Sequence, residues 1–295
     1  MINPIGIISM FYARPFVAEH LHLFKRMKKS GMDFVELLVP EQGELDLSAT
    51  RRALEEAQLS VVLAARVNLS RDLASDDPNS HLAGVRYLEY CAEVAVALGA
   101  TLVGGPLYGA PLVFAGRAPA PVAEADRLAR VDRVVSGLRT AGSRADKLGV
   151  RLAVEPLNRF ETDFASTTQQ GLDLVSRVDS PAVGLLLDTF HMNMEEGDLA
   201  EAILRSGSRL FHFQANENHR GFVGSGHLDW PDIARALVRV GYRGPITLEP
   251  FRRQEQRLGV PLAQWRAPVE NEDQALSDSA AYLRTALAFA TQGAA

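Results

Sequence analysis

The stretch "VRLAVEPLNRFETDFASTTQQGLDLVSRVDSPAVGLLLDTF", Val150–Phe190, holds two short apolar runs that each end in an acid. Val150–Glu155 and Val183–Asp188 have the length of buried strands, and the longer connection between them has room for a helix. Apolar runs without polar alternation mark strands covered on both faces, as in a parallel sheet sheathed by helices. The same rhythm extends outward from this unit. Ile5–Ser9, Phe34–Val39, Val61–Ala65 and Thr101–Gly104 precede it, and Leu210–Gln214 and Ile246–Glu249 follow, eight runs in all. The connections are amphipathic. "HLAGVRYLEYCAEVAVALGA" (His81–Ala100) sets apolar residues at 82, 85, 88, 92 and 95, and Gly99 stands where a helix should stop. The last helix is expected near Asp273–Ala290. Eight strand–helix units in 295 residues give an α/β fold, the closed (β/α)8 TIM barrel, as a single domain over 1–295. The alternative is an open doubly wound sheet, whose dinucleotide-binding version needs a G-x-G-x-x-G that the first strand lacks.

Composition narrows the function classes. A net charge of −5 gives no sign of a nucleic-acid partner. The one basic cluster, Lys25 to Lys29, falls on an amphipathic pattern and reads as a solvated helix face. The single cysteine, Cys91, excludes an intrachain disulfide and a cysteine zinc cluster, and its helical spacing from Leu88 and Ala95 reads as a buried, inert thiol. "MINPIGIISMFY" lacks the charge and length of a signal peptide, and no run reaches membrane-span length, so a cytoplasmic protein without a membrane partner is expected. The long connection Arg252–Asp273 reads as a lid or subunit contact with Trp265 as its anchor.

Three runs end alike, at Glu155 in "RLAVEPL", Asp188 in "GLLLDTF" and Glu249 in "ITLEPF". Proline follows two of these acids, ending the ladder and holding the preceding residue extended. In a barrel those positions lie at the C-terminal mouth. Any one such acid reads equally well as a helix cap or a surface charge. Together they would repel one another, and a divalent cation with oxygen ligands is the simplest remedy. Strand seven, within "RLFHFQANENHRGFVGSGHLDW" (Arg209–Trp230), places His212, Gln214 and Asn216 on one face. His212 lies deeper and Gln214 nearer the mouth, and either is a candidate fourth ligand.

At these residues the sequence resembles the D-tagatose 3-epimerase group of ketose 3-epimerases, among the xylose-isomerase-like barrels. The likeness rests on "RDLASDDPNS" (Arg71–Ser80), "GPLY" (Gly105–Tyr108), Glu155 with Asn158, Arg159, Phe160 and Glu161, "LDTFHMNMEE" (Leu187–Glu196), the series Arg220, Gly224, Gly226 and Trp230, and "LEPF" (Leu248–Phe251). The resemblance implies metal positions at Glu155, Asp188, Gln214 and Glu249. It implies one divalent ion, Mn2+ foremost with Mg2+ or Co2+ as alternatives. Gln214 is the main departure, since the best-known members carry histidine there. The resemblance also implies that Glu161, His191 and Arg220 hold the sugar, with Phe11, Arg66 and Tyr108 lining the pocket. The remaining histidines, His20, His22, His81, His219 and His227, read as structural.

The activity so implied is inversion of C3 in a free ketose of the D-tagatose, D-fructose/D-allulose or L-ribulose type. It would pass through a cis-enediolate, with Glu155 and Glu249 acting as acid and base on opposite faces, in a homodimer or homotetramer. The competing readings are an aldose–ketose isomerase of the hydroxypyruvate isomerase type and a non-catalytic sugar-binding barrel. A metal-dependent endonuclease would need more histidines and a basic face.

Overall fold

A computed structural model describes residues 3–111, 123–251, 264–267 and 269–293. Eight parallel strands close into a barrel in sequence order. They are β1 (Ile5–Ile8), β2 (Phe34–Leu38), β3 (Ser60–Ala64), β4 (Leu102–Gly105), β5 (Arg151–Val154), β6 (Val183–Asp188), β7 (Leu210–Ala215) and β8 (Ile246–Leu248). All eight expected runs are strands, with ends moved by a residue or so. Glu155 and Glu249 fall one position beyond β5 and β8, just ahead of Pro156 and Pro250, which have no N–H to extend the ladder. β1 pairs with β8 through Ile5↔Ile246, Gly6↔Thr247 and Ile7↔Leu248, so the sheet has no free edge.

The helices are α1 (Leu23–Lys29), α2 (Leu47–Ala57), α3 (Pro78–Leu98), α4 (Glu124–Lys147), α5 (Thr168–Val178), α6 (Thr189–Glu195), α7 (Leu199–Ser206), α8 (Trp230–Arg239) and α9 (Glu272–Gly293). Their starts follow from local chemistry. Asp77 accepts the N–H groups of Asn79 and Ser80 at the head of α3, with Pro78 in the first turn. Thr167 and Gln170 form a capping box on α5. Gly99 ends α3 in the left-handed region at φ 80°, a conformation open to glycine at little cost. Lys25 and Lys29 face solvent on α1, and Cys91 is fully buried in α3. Burial lifts the Cys91 thiol to about 12, so it is inert as expected. Among the described residues no helix is long and apolar enough to cross a membrane.

The barrel interior is layered. Phe34, Val62, Leu102, Ala153, Leu186 and Phe211 form an apolar cluster inside it. Beyond them along the strands come Glu36, His212 and Thr247, all fully or almost fully buried. The β6–β7 register shifts so that Leu185 pairs with Leu210 and Leu186 with His212. Phe211 is therefore an extra residue, a bulge that lets it and His212 both serve the interior. Gly104 on β4 leaves the space: a Cβ there would lie 2.7 Å from Leu186 and 3.5 Å from His212.

The ring of helices is fastened where the chain returns to its start. Arg26 of α1 pairs with Asp273 of α9 at 3.0 Å, and Arg284 donates to Gly31 O and Asp33 Oδ2, each at 2.8 Å. Of the long connection expected to act as a lid or subunit contact, residues 252–263 and 268 lie outside the described residues. Trp265, expected to anchor it, is 64% exposed in the single chain.

Candidate active site

Six of the seven residues singled out at the strand ends and loops are buried at the C-terminal mouth of the barrel: Glu155, Asp188, His191, Gln214, Arg220 and Glu249. The seventh, Glu161, is half-buried and joins them through Asn158, whose Nδ2 donates to Glu161 Oε1 at 3.0 Å.

Asp188 is the centre of the group. It is both the last residue of β6 and the cap of α6, and its Oδ1 accepts the N–H of Phe190 at 2.7 Å. The plain reading of a strand-end acid as a helix cap is therefore true here, and compatible with a second role. Asp188 Oδ2 meets Arg220 Nη1 at 2.5 Å, and Asn216 Nδ2 reaches both carboxylate oxygens, at 3.1 and 3.0 Å. Arg220 also approaches Glu249 Oε2 at 3.3 Å. Its guanidinium lies 4.6 Å from the Phe190 ring centroid and 4.3 Å from that of Phe251, a cation held between two aromatic rings.

His191 Nε2 lies 3.5 Å from Glu155 Oε1 and 3.9 Å from Asp188 Oδ2. One donor atom from each of these three residues fits within 4.8 Å of the others, a spacing that could hold an ion. The tautomer of His191 argues against its being a ligand. Its Nδ1 accepts the backbone N–H of Asn158 at 3.0 Å, and burial lowers its pKa, with Asp188 resisting, so the ring is neutral. The proton then sits on Nε2, which is buried without a hydrogen-bond partner. That nitrogen is a donor waiting for an oxygen.

Electrostatics separates the three acids. Burial lifts the Glu155 carboxyl well above the usual carboxylate range, and Glu249 and Asp188 lift it further. Burial lifts Glu249 as well, Arg220 opposing and Asp188 adding to the rise. Burial also works against Asp188, but Arg220 foremost, with Asn216 and the Phe190 N–H, outweighs it and holds that carboxylate ionised. Neighbouring carboxyls driven apart in this way are a common basis for acid and base roles.

On β7, Gln214 is the register neighbour of Asp188 on one side and of Thr247 on the other. Its Nε2 donates to Glu36 Oε1 at 3.0 Å, while its Oε1 is buried with no hydrogen-bond partner among the described residues. His212, the deeper candidate, turns its Nε2 to Glu36 Oε2 at 2.9 Å and to Thr247 Oγ1 at 3.2 Å. The Gln214 amide oxygen and the three carboxyls are hard oxygen donors, which fit a divalent cation, while the Arg220 guanidinium offers no lone pair and offsets the acids' charge.

Of the residues expected to line the pocket, Tyr108 is buried and stacks on Phe164 at 4.9 Å, and Phe11 meets Phe222 edge-on at 6.0 Å. Arg66 is engaged with Glu44 at 2.5 Å. Glu36 was not singled out from sequence. Its signal was available: one acid inside the apolar run "FVELLV", two positions from Phe34 and so on the same inward face.

A closed parallel barrel with acids gathered at the ends of β5, β6 and β8 defines a class. The chain belongs to the xylose isomerase-like TIM barrel family, whose model matches residues 24–286. Within it the likeness is to ketose 3-epimerases. The chain is 33% identical over 240 residues to an L-ribulose 3-epimerase of Methylomonas sp. (strain DH-1), covering 81% of each chain. It is 32% identical over 248 residues to a ketose 3-epimerase of Arthrobacter globiformis, covering 84% of this chain and 83% of that one. A solved L-ribulose 3-epimerase structure superposes with a TM-score of 0.90 at 27% identity, covering 99% of this chain and 97% of the other. The protein is thus an isomerase of the ketose 3-epimerase group, acting on carbohydrates.

Proposed function

We propose that this protein is a divalent-metal-dependent ketose 3-epimerase that inverts C3 of a free ketohexose or ketopentose through a cis-enediolate. D-tagatose, D-fructose/D-allulose and L-ribulose are the substrates to try. The observation that carries the reading is the placement of Glu155 and Glu249. They leave strands three apart around the barrel, yet both carboxyls are buried at its mouth with Asp188, and Glu249 adds to what lifts Glu155. Two carboxyls reaching one carbon from opposite sides can exchange its proton from one face to the other, and that exchange inverts the carbon.

Glu155, Asp188, Gln214 and Glu249 would hold the cation through oxygen, which favours Mn2+, with Mg2+ or Co2+ as alternatives, over softer Zn2+. When bound, the ion supplies Lewis-acid stabilisation to negative charge developing on the sugar oxygens. Glu155 and Glu249 remove and return the C3 proton. At the O1, O2 and carbonyl end of the ketose His191 Nε2–H donates to an oxygen, Arg220 adds a fixed positive charge, and Glu161 accepts from a hydroxyl. Phe190 and Phe251 pack against the guanidinium. The same reading proposes one domain working in the cytoplasm as a homodimer or homotetramer.

The test is product analysis in D2O with each ketose, with and without EDTA. A C3 epimer carrying deuterium at C3, formed only with metal, supports the proposal, whereas an aldose product means isomerisation. Glu155→Gln and Glu249→Gln should each lose C3 exchange by about 100-fold or more, the scale of general acid–base catalysis. Full exchange in both variants would sink the two-base scheme.

A further inference from the structure

Glu36 is fully buried on β2 and has no part in the reaction just proposed. As a carboxylate it can only accept hydrogen bonds. Its Oε2 meets His212 Nε2 at 2.9 Å and its Oε1 meets Gln214 Nε2 at 3.0 Å. A primary amide has a donor end and an acceptor end of nearly equal size. A partner that only accepts selects which end it sees. If the Gln214 amide were rotated by half a turn, its oxygen would face the Glu36 carboxylate with no proton between them, a buried repulsion. With the nitrogen held by Glu36, Oε1 points away from it, and that atom is buried without a donor. His212 Nε2, which also meets Thr247 Oγ1, takes the other carboxylate oxygen, so Glu36 is itself fixed.

Resting on the metal reading above, we infer that Glu36 is a positioning residue that sorts the Gln214 amide, locking its oxygen toward the cation position. A glutamine ligand needs this sorting, because its other end is a hydrogen-bond donor that repels a cation. A histidine at the same position does not depend on it in the same way. A neutral imidazole turns its free nitrogen to a cation, and its N–H can be accepted by a carboxylate or by an amide oxygen alike.

The contrast defines the experiment. Mn2+ binding to the metal-stripped full chain is followed by the electron paramagnetic resonance signal of free Mn2+. Glu36→Gln and Glu36→Asp are each placed in the Gln214 protein and in the Gln214→His background. Glu36→Gln gives the amide a partner that accepts either end, while Glu36→Asp keeps the charge and withdraws the carboxylate by one methylene. Either change should weaken Mn2+ binding by about tenfold or more in the Gln214 protein, the scale on which outer-shell partners act, and by about threefold or less in the Gln214→His background. Equal losses in the two backgrounds would mean that Glu36 acts through its charge or through general packing, and would overturn the sorting role. Unchanged affinity in the Gln214 protein would overturn it as well. An unsubstituted chain that takes up no Mn2+ would instead bring down the metal reading, and this inference with it. Glu36→Asp keeps the test decisive if Glu36→Gln fails to fold.

Discussion

Arg220 shows how much one residue can be asked to do. Its φ of 61° lies in the left-handed region, which costs a side-chain-bearing residue roughly 1–2 kcal/mol. Two backbone hydrogen bonds hold it there, from its own N–H to Glu217 O at 2.9 Å and from Phe251 N–H to its carbonyl at 2.8 Å. The return is a guanidinium lodged between Asp188 and Glu249. It keeps the site from being a bare cluster of acids, and it decides which acid stays ionised. The sign of the pH dependence follows. Glu155 and Glu249 have folded pKa values raised above their unfolded ones, so in the metal-free protein their favourable contribution is present at low pH and fades as pH rises through the raised values. Ligation requires both to be ionised, so Mn2+ affinity should increase with pH over that same window, and binding should release protons. Calorimetry on the acid side of neutrality, in two buffers of different ionisation enthalpy, should record net release; net uptake would contradict the assignment. The three strand-end acids were legible because their signal is local, an apolar run, an acid and in two cases a proline. Glu36 left a fainter local trace, one acid inside an apolar run, and its meaning lies in a hydrogen bond to a residue 176 positions away.

At the scale of elements, the β7–α8 loop is folded around one buried acid. Glu217 Oε1 accepts Trp230 Nε1 at 2.6 Å and the Gly224 N–H at 2.8 Å. A Cβ on Gly226 would collide with the same carboxylate, which is why glycine stands there. The loop in turn presents Arg220. Glu217→Gln removes an acceptor from this arrangement and should destabilise the protein by about 1–3 kcal/mol, the usual consequence of an unsatisfied buried group. Thermal melting should fall, KM should rise more than kcat falls, and the emission of the buried Trp230 should shift to the red. A variant with unchanged melting and KM would show the loop to be held by something else. The stop of α3 at Gly99 was readable, since a helix end is marked by a few consecutive residues. The bulge at Phe211 was not, because "LFHFQA" alternates smoothly and the extra residue exists only relative to β6.

For the molecule as a whole, the number and order of strands were legible because every unit repeats the same pattern, and a closed parallel sheet is the natural arrangement of eight of them. How the ring is fastened was not legible. Asn3 Nδ2 donates to Tyr242 O at 3.2 Å and Gly244 O at 2.9 Å, and α9 grips α1, contacts between the two ends of the sequence that no local pattern announces. The proposed assembly belongs to this scale: light scattering on a sizing column should give twice or four times the 32.1 kDa chain mass, and a mass of one chain would refute it. The closure of β1 on β8 also bears on how the protein is made. Ile5 meets its partner only when Ile246 is available, and at about 5–20 residues per second a ribosome takes roughly ten to fifty seconds to supply it. Through that interval the first strand is a bare edge, open to a chaperone or to a sister chain on the same messenger. A cation held as proposed could find its full set of oxygens only once the eighth strand had emerged with Glu249 behind it.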